Sequence, residues 1–137
     1  MKLDAISILL IDGNHLDREY YAQRLQLTLP DYHVVQASTG RSGLDLCARQ
    51  TIDCVILEID LPDMSGFEVL VKLVPRAHRP EIPVIVLTGH SNEFLLEVAV
   101  KNGAQAALHK DMTCGDMLYA AILKAISTVR KEKVHAH

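Results

Sequence analysis

Five short runs rich in apolar residues, at 6–11, 33–37, 54–57, 84–87 and 106–109, recur along the chain, and each is followed by residues with helical apolar spacing. Runs such as Ile-Ser-Ile-Leu-Leu-Ile and Cys-Val-Ile-Leu lack polar alternation, so they read as strands covered on both faces. Parallel strands need crossover connections, and the intervening segments are long enough to be helices. The pattern predicts an α/β domain: a doubly wound, five-stranded parallel sheet with helices on both sides. Such sheets place their sites beyond the carboxyl ends of the strands.

The first helix is expected over 16–29, with Tyr21, Leu25 and Leu29 four apart and Pro30-Asp31 as its stop. A second runs through Leu44 and Ala48 to about Arg49, and a third covers 66–74. Residues 75–83 hold Pro75, Pro80 and Pro83 and are read as a loop. A fourth helix over 92–102, with Ser91 or Asn92 as its cap, ends at Gly103. The last begins near Thr113, carries Leu118, Ile122, Ile126 and Val129 on one face, and ends in Arg130-Lys131-Glu132-Lys133. Residues 1–130 are thus one domain, and 131–137 a charged tail, either a solvated helix end or the start of a linker to an effector, with 134–137 disordered.

At 137 residues and 49% hydrophobic content the chain can build one proper core. Its formal net charge of −3 provides no basic field for phosphate backbones, which argues against direct nucleic-acid binding. Cys47, Cys54 and Cys114 are odd in number and scattered, as suits a reducing compartment rather than disulfides or a thiolate metal site. Residues 1–6 have no apolar signal core, and no run approaches the ~18 apolar residues of a membrane span. A cytoplasmic protein without membrane contact is expected.

The segment 53–66, Asp-Cys-Val-Ile-Leu-Glu-Ile-Asp-Leu-Pro-Asp-Met-Ser-Gly, is the centre of this plan. It delivers Glu58 to the end of the third strand, into a loop braced by Pro62 and turned by Gly66. Asp12, Thr88 and Lys110 follow the first, fourth and fifth strands. Singly they read as a helix cap, a turn residue and a solvated charge. Together, two acids, a hydroxyl and an ammonium at one sheet edge can hold a hard cation and a phosphoryl group.

The stretches Ile-Leu-Leu-Ile-Asp, Ala-Ser-Thr-Gly-Arg-Ser-Gly-Leu, Leu-Pro-Asp-Met-Ser-Gly-Phe-Glu-Val-Leu, Pro-Val-Ile-Val-Leu-Thr-Gly and Asn-Gly-Ala, with the isolated Lys110, resemble the receiver domain of bacterial two-component response regulators over 6–129. The resemblance implies a (βα)5 flavodoxin-like fold with strand order 2-1-3-4-5. It also implies an aspartate after the third strand that takes a phosphoryl group from a histidine kinase, with Mg²⁺ held by it and by an acidic pair after the first strand. Thr88 and Lys110 match the threonine and lysine that contact the phosphoryl group and couple it to the face of the fourth helix, fifth strand and fifth helix.

This sequence departs from that pattern at the reacting positions. The phosphoacceptor position is Glu58, the second member of the acidic pair is Gly13, the usual aromatic switch residue is Ala107, and Asp111 stands where a proline commonly follows the lysine. In-line transfer depends on positioning, and ~1 Å of displacement can cost about a hundredfold in rate. The added methylene of Glu58 and the carboxylate missing at Gly13 therefore predict a non-enzymatic pseudo-receiver, not phosphorylated in the usual way and acting through protein contacts. No cofactor is required, and Mg²⁺ on Asp12 and Glu58 is expected to bind weakly at best. Glu58 supplies a fixed charge near Lys110 and Thr88, partially mimicking a phosphoryl group and locking the module near one state; the bland alternative is a scaffold with a decayed site. Any Glu58–Lys110 contact is expected to be an ordinary surface ion pair. Two rival readings stay open: a still-active Mg²⁺-dependent phosphoryl acceptor using Glu58 or Asp60, and a small-ligand module in a vacated pocket beside Gly13.

On the fourth helix, Glu93, Glu97 and Lys101 form a narrow polar stripe, leaving Phe94, Leu95, Leu96, Val98, Ala99 and Val100 around the rest. Phe94, Val98 and Ala107 are the expected partner face, for an effector domain or a homodimer, unless most of them are core. A histidine kinase or phosphotransfer protein is the other implied partner. His15, His33, His78, His90 and His109 share no ligand spacing, and Gly40 with Gly43 lacks the lysine of a phosphate-binding loop.

Overall fold

A computed structural model describes the backbone of residues 5–135 and side chains as far as Lys131. The elements, in chain order, are β1 (Ser7–Ile11), α1 (His15–Thr28), β2 (His33–Ala37), α2 (Gly40–Arg49), β3 (Cys54–Leu57), α3 (Gly66–Leu73), β4 (Val84–Thr88), α4 (Glu93–Lys101), β5 (Ala106–His109), a 3₁₀ turn (Lys110–Met112) and α5 (Gly115–His135). All strand pairs are parallel, and the sheet order is β2-β1-β3-β4-β5, as the resemblance implied.

Strand pleating divides the apolar residues between two layers. Leu9, Ile11, Val55, Leu57, Val84 and Val86 face one side, where Leu44, Phe67 and Leu95 pack on them from α2, α3 and α4. Ile8, Leu10, Cys54, Ile56, Ile85 and Leu87 face the other, against Leu25 of α1 and Leu118 and Ile122 of α5. Both faces of the central strands are thus buried, which is why those strands read as unbroken apolar runs. Asn14, Thr39, Ser65 and Asn92 each accept a hydrogen bond from the first turn of the following helix, fixing where α1 to α4 begin. Gly103 ends α4 with φ of 106°, the left-handed conformation that glycine adopts without steric cost.

Three details differ from expectation. Helix α5 continues through the charged run to His135 instead of ending near Arg130, because arginine, lysine and glutamate favour helix and no breaker interrupts them. Of the tail expected over 131–137, the backbone to His135 is therefore helical; residues 136–137, like 1–4, lie outside the described residues. His15, just outside the helix expected over 16–29, is the first residue of α1.

Gly66 does not turn the chain: it opens α3, and its amide donates to the Ile59 carbonyl at 2.7 Å. It must be glycine because a Cβ there would press on the Glu58 carbonyl oxygen and lie 2.7 Å from the Ile59 Cα. That obstruction is backbone and cannot rotate away. Gly66→Ala should cost on the order of 2 kcal/mol of stability, within the range for overpacking, as read by urea unfolding.

Candidate functional site

Main-chain bonds between neighbouring strands carry the site to the sheet edge: the Asp12 amide donates to the Ala37 carbonyl and the Glu58 amide to the Ile11 carbonyl, both at 3.0 Å. Asp12, Glu58 and Thr88 are buried there. The carboxylate of Glu58 turns back over its own loop. Its Oε1 accepts from the amides of Ile59 at 2.9 Å and Asp60 at 3.1 Å and from the Thr88 hydroxyl. Its Oε2 accepts from the Gly89 amide at 3.2 Å and lies 2.9 Å from the Lys110 ammonium. Five donors thus converge on one carboxylate. Burial disfavours its ionised form, but bonds from Thr88, Lys110 and Asp60 outweigh burial and hold its pKa below the ordinary glutamate value.

Lys110 also donates to Asp12 at 2.7 Å and to Asp17 at 2.9 Å. Burial would lower the lysine pKa, yet its bonds to Asp12, Asp17 and Glu58 raise it instead. Asp12 moves the other way from Glu58: burial raises its pKa despite bonds from Lys110 and the Asn14 amide.

The four residues expected at the strand ends, Asp12, Glu58, Thr88 and Lys110, are brought together. The expected surface ion pair is not what they form. Side-chain exposure is 11% for Lys110 and 6% for Glu58, because Lys110 reaches inward over the sheet edge to the buried acids. Asp17 escaped notice because an acid in a helix's first turn is ordinarily read as a complement to the helix dipole. Asp63 escaped too: from the loop after β3 its carboxylate accepts from the amides of Gly40 and Arg41 at 2.8 and 2.9 Å, across to the start of α2. Those two amides, Arg41 first, hold its pKa below the ordinary aspartate value.

Pro62 packs closely against Gly13. A Cβ on that glycine would lie 2.8 Å from Pro62 Cδ and 3.5 Å from the Ser38 carbonyl oxygen, so the loop carrying Glu58 fills that space. A groove does lie between α1 and α5, lined by residues including Tyr20, Tyr21, Arg24 and Tyr119. Asp60 contributes its amide to Glu58, and its side chain is exposed. Among the described residues, no three His, Cys, Asp or Glu side chains are grouped to hold a metal ion.

Around β5, Ala107 pairs with Val86 and packs, half-buried, on the α2–α3–α4 layer. Asp111 stands exposed in the 3₁₀ turn, its amide bonded to His109 Nδ1 at 3.1 Å. On α4 the apolar residues divide: Ala99 is buried and Leu95 packs on the core, Leu96 and Val98 are half-buried, and Phe94 is 63% exposed.

The response regulator receiver domain family matches residues 8–122, and the chain belongs to that family. It is a receiver domain of two-component signalling. Its sequence is 34% identical over 115 residues to the nitrate/nitrite response regulator protein NarL of Escherichia coli K12, covering 83% of this chain and 52% of that one. It is 36% identical over 90 residues, 66% of this chain and 20% of the other, to a probable cyclic di-GMP phosphodiesterase of Vibrio cholerae. The chain spans about half the length, or less, of such curated relatives. A CheY-like receiver domain from Methanospirillum hungatei superposes with TM-score 0.80 at 26% identity, covering 93% of this chain and 98% of that one. A response regulator receiver domain protein from Clostridium thermocellum does so with TM-score 0.77 at 30% identity, covering 94% and 98%.

Lys110→Met should cost about 3 kcal/mol in chemical denaturation, because it leaves buried carboxylates without their counter-charge. Asp63 carries a different expectation, since its folded pKa lies below its unfolded value near 3.8. A lowered acid pKa contributes stability above the unfolded value that is lost as pH falls through the folded one. Wild type should therefore melt above Asp63→Asn at neutral pH, and the difference between the two melting temperatures should shrink as pH falls below the unfolded value of 3.8.

Proposed function

We propose that this chain is a pseudo-receiver: a non-enzymatic signalling module that works through protein contacts and does not take a phosphoryl group in the usual way. The observation that carries this reading is the engagement of Glu58, whose two oxygens already accept from Ile59, Asp60, Thr88, Gly89 and Lys110. A carboxylate attacks phosphorus through a free lone pair aligned with the leaving group, and positioning governs that reaction. Glu58 would first have to surrender bonds that hold its own loop.

The surroundings of Gly13 support the same conclusion about Mg²⁺. The implied acidic pair is reduced to Asp12, the place for a side chain at position 13 is taken by Pro62, and the two remaining acids face the Lys110 ammonium. These residues do not fit a hard divalent cation, which demands open oxygen ligands in near-octahedral array. Glu58 and Lys110 instead form a fixed ion pair where a switch would otherwise operate, and Ala107 offers no ring to change rotamer. The module thus stands in one state, read by an effector domain, a histidine kinase or a phosphotransfer protein in the cytoplasm, without direct contact to nucleic acid or membrane. Phe94, Val98 and Ala107, on the face of α4, β5 and α5, are the docking residues for an effector or a second copy.

Incubation of the full chain with Mg²⁺ and an acyl-phosphate donor, followed by intact mass measurement, tests the reading. Wild type should remain unmodified, whereas a gain of one phosphoryl group, stable or transient, would reinstate the active phosphoacceptor.

A further inference from the structure

We infer that Asp17 is a positioning residue for Lys110: its carboxylate holds the lysine head in the Glu58 site and ties the first turn of α1 to the end of β5. An ammonium has three protons and no acceptor capacity. Three carboxylates surround this one, at 2.7 Å for Asp12 and 2.9 Å each for Asp17 and Glu58; Asp12 and Asp17 accept hydrogen bonds from it, and Glu58 pairs with its charge. Two of these partners are fixed by other bonds. Glu58 is held by four further donors, and Asp12 accepts from the Asn14 amide. Asp17 alone approaches from the solvent side, with its side chain 42% exposed against 4% for Asp12 and 6% for Glu58.

The lysine stem has four rotatable methylenes and passes over Gly89, where a Cβ would sit 3.7 Å from the lysine Cδ. Two buried acids bind the head from beneath, and Asp17 closes it from above. Lys110 is the first residue of the 3₁₀ turn that follows β5, so fixing its head also fixes the backbone where β5 gives way to α5. The contact joins residues 93 positions apart.

A plainer role is available to Asp17, because it lies in the first turn of α1 and an acid there stabilises the helix without any partner. The two roles separate in a double-variant cycle on the full chain, read by amide hydrogen exchange. Asp17→Asn should accelerate exchange at 106–112 by about tenfold, an effect that nearly vanishes when Lys110 is already Met, since coupled residues are non-additive. It should also abolish the slowly exchanging Lys110 ammonium signal expected in ¹H–¹⁵N spectra of wild type, a readout that needs no second variant should Lys110→Met fail to fold.

Persistence of that ammonium signal in Asp17→Asn, acceleration confined to the first turn of α1, or full additivity in the double variant would each overturn the inference. The inference goes beyond the pseudo-receiver reading. Phosphoryl uptake seen by mass would refute that reading and leave this one intact, and retained Lys110 order in Asp17→Asn would do the reverse.

Discussion

Everything at the carboxyl edge of this sheet depends on one ammonium held among three carboxylates. Withdrawing such charges from water costs several kcal/mol per ion, and the arrangement persists only where geometry and added hydrogen bonds compensate. The parallel sheet supplies the geometry. β1 and β3 deliver Asp12 and Glu58 side by side, β4 contributes the Thr88 hydroxyl, and β5 feeds Lys110 back over them. The opposite pKa directions of the two buried acids follow from their donors. Glu58 has enough to overcome burial, whereas Asp12, with Lys110 and one amide, does not.

The extra methylene of glutamate is accommodated, not merely tolerated. It lets the carboxylate fold back onto the amides of Ile59 and Asp60, so Glu58 serves as the staple of its own loop. Gly66 admits the start of α3 against that loop, and Pro62 settles over Gly13. Glu58 and Gly13, two separate departures when read along the chain, belong to one packed unit. A side chain at position 13 would meet Pro62, which the loop after Glu58 carries.

Much of this was legible in the sequence, because strand parity and helical spacing are local properties. The five βα units, the strand order implied by the family and the meeting of Asp12, Glu58, Thr88 and Lys110 all stand in the structure. What could not be read was what lies over the site. Burial of Lys110 depends on a side chain reaching back across the sheet, and nothing in the fifth segment distinguishes it from a solvated lysine. Asp17 and Asp63 look like helix-start and turn residues, and their partners lie 93 and about two dozen positions away. The end of α5 lies further along for a different reason: a run of charge reads as a stop, although its residues favour helix.

Asp63 draws two parts of the molecule into a single body. Its carboxylate accepts from the amides at the head of α2, while the same loop carries Glu58 at one end and Gly66 at the other. The segment after β3 therefore cannot lift away without freeing the two amides that open α2. The loop that aims Glu58 is thus anchored twice over, to its own strand and, through Asp63, to the first residues of α2.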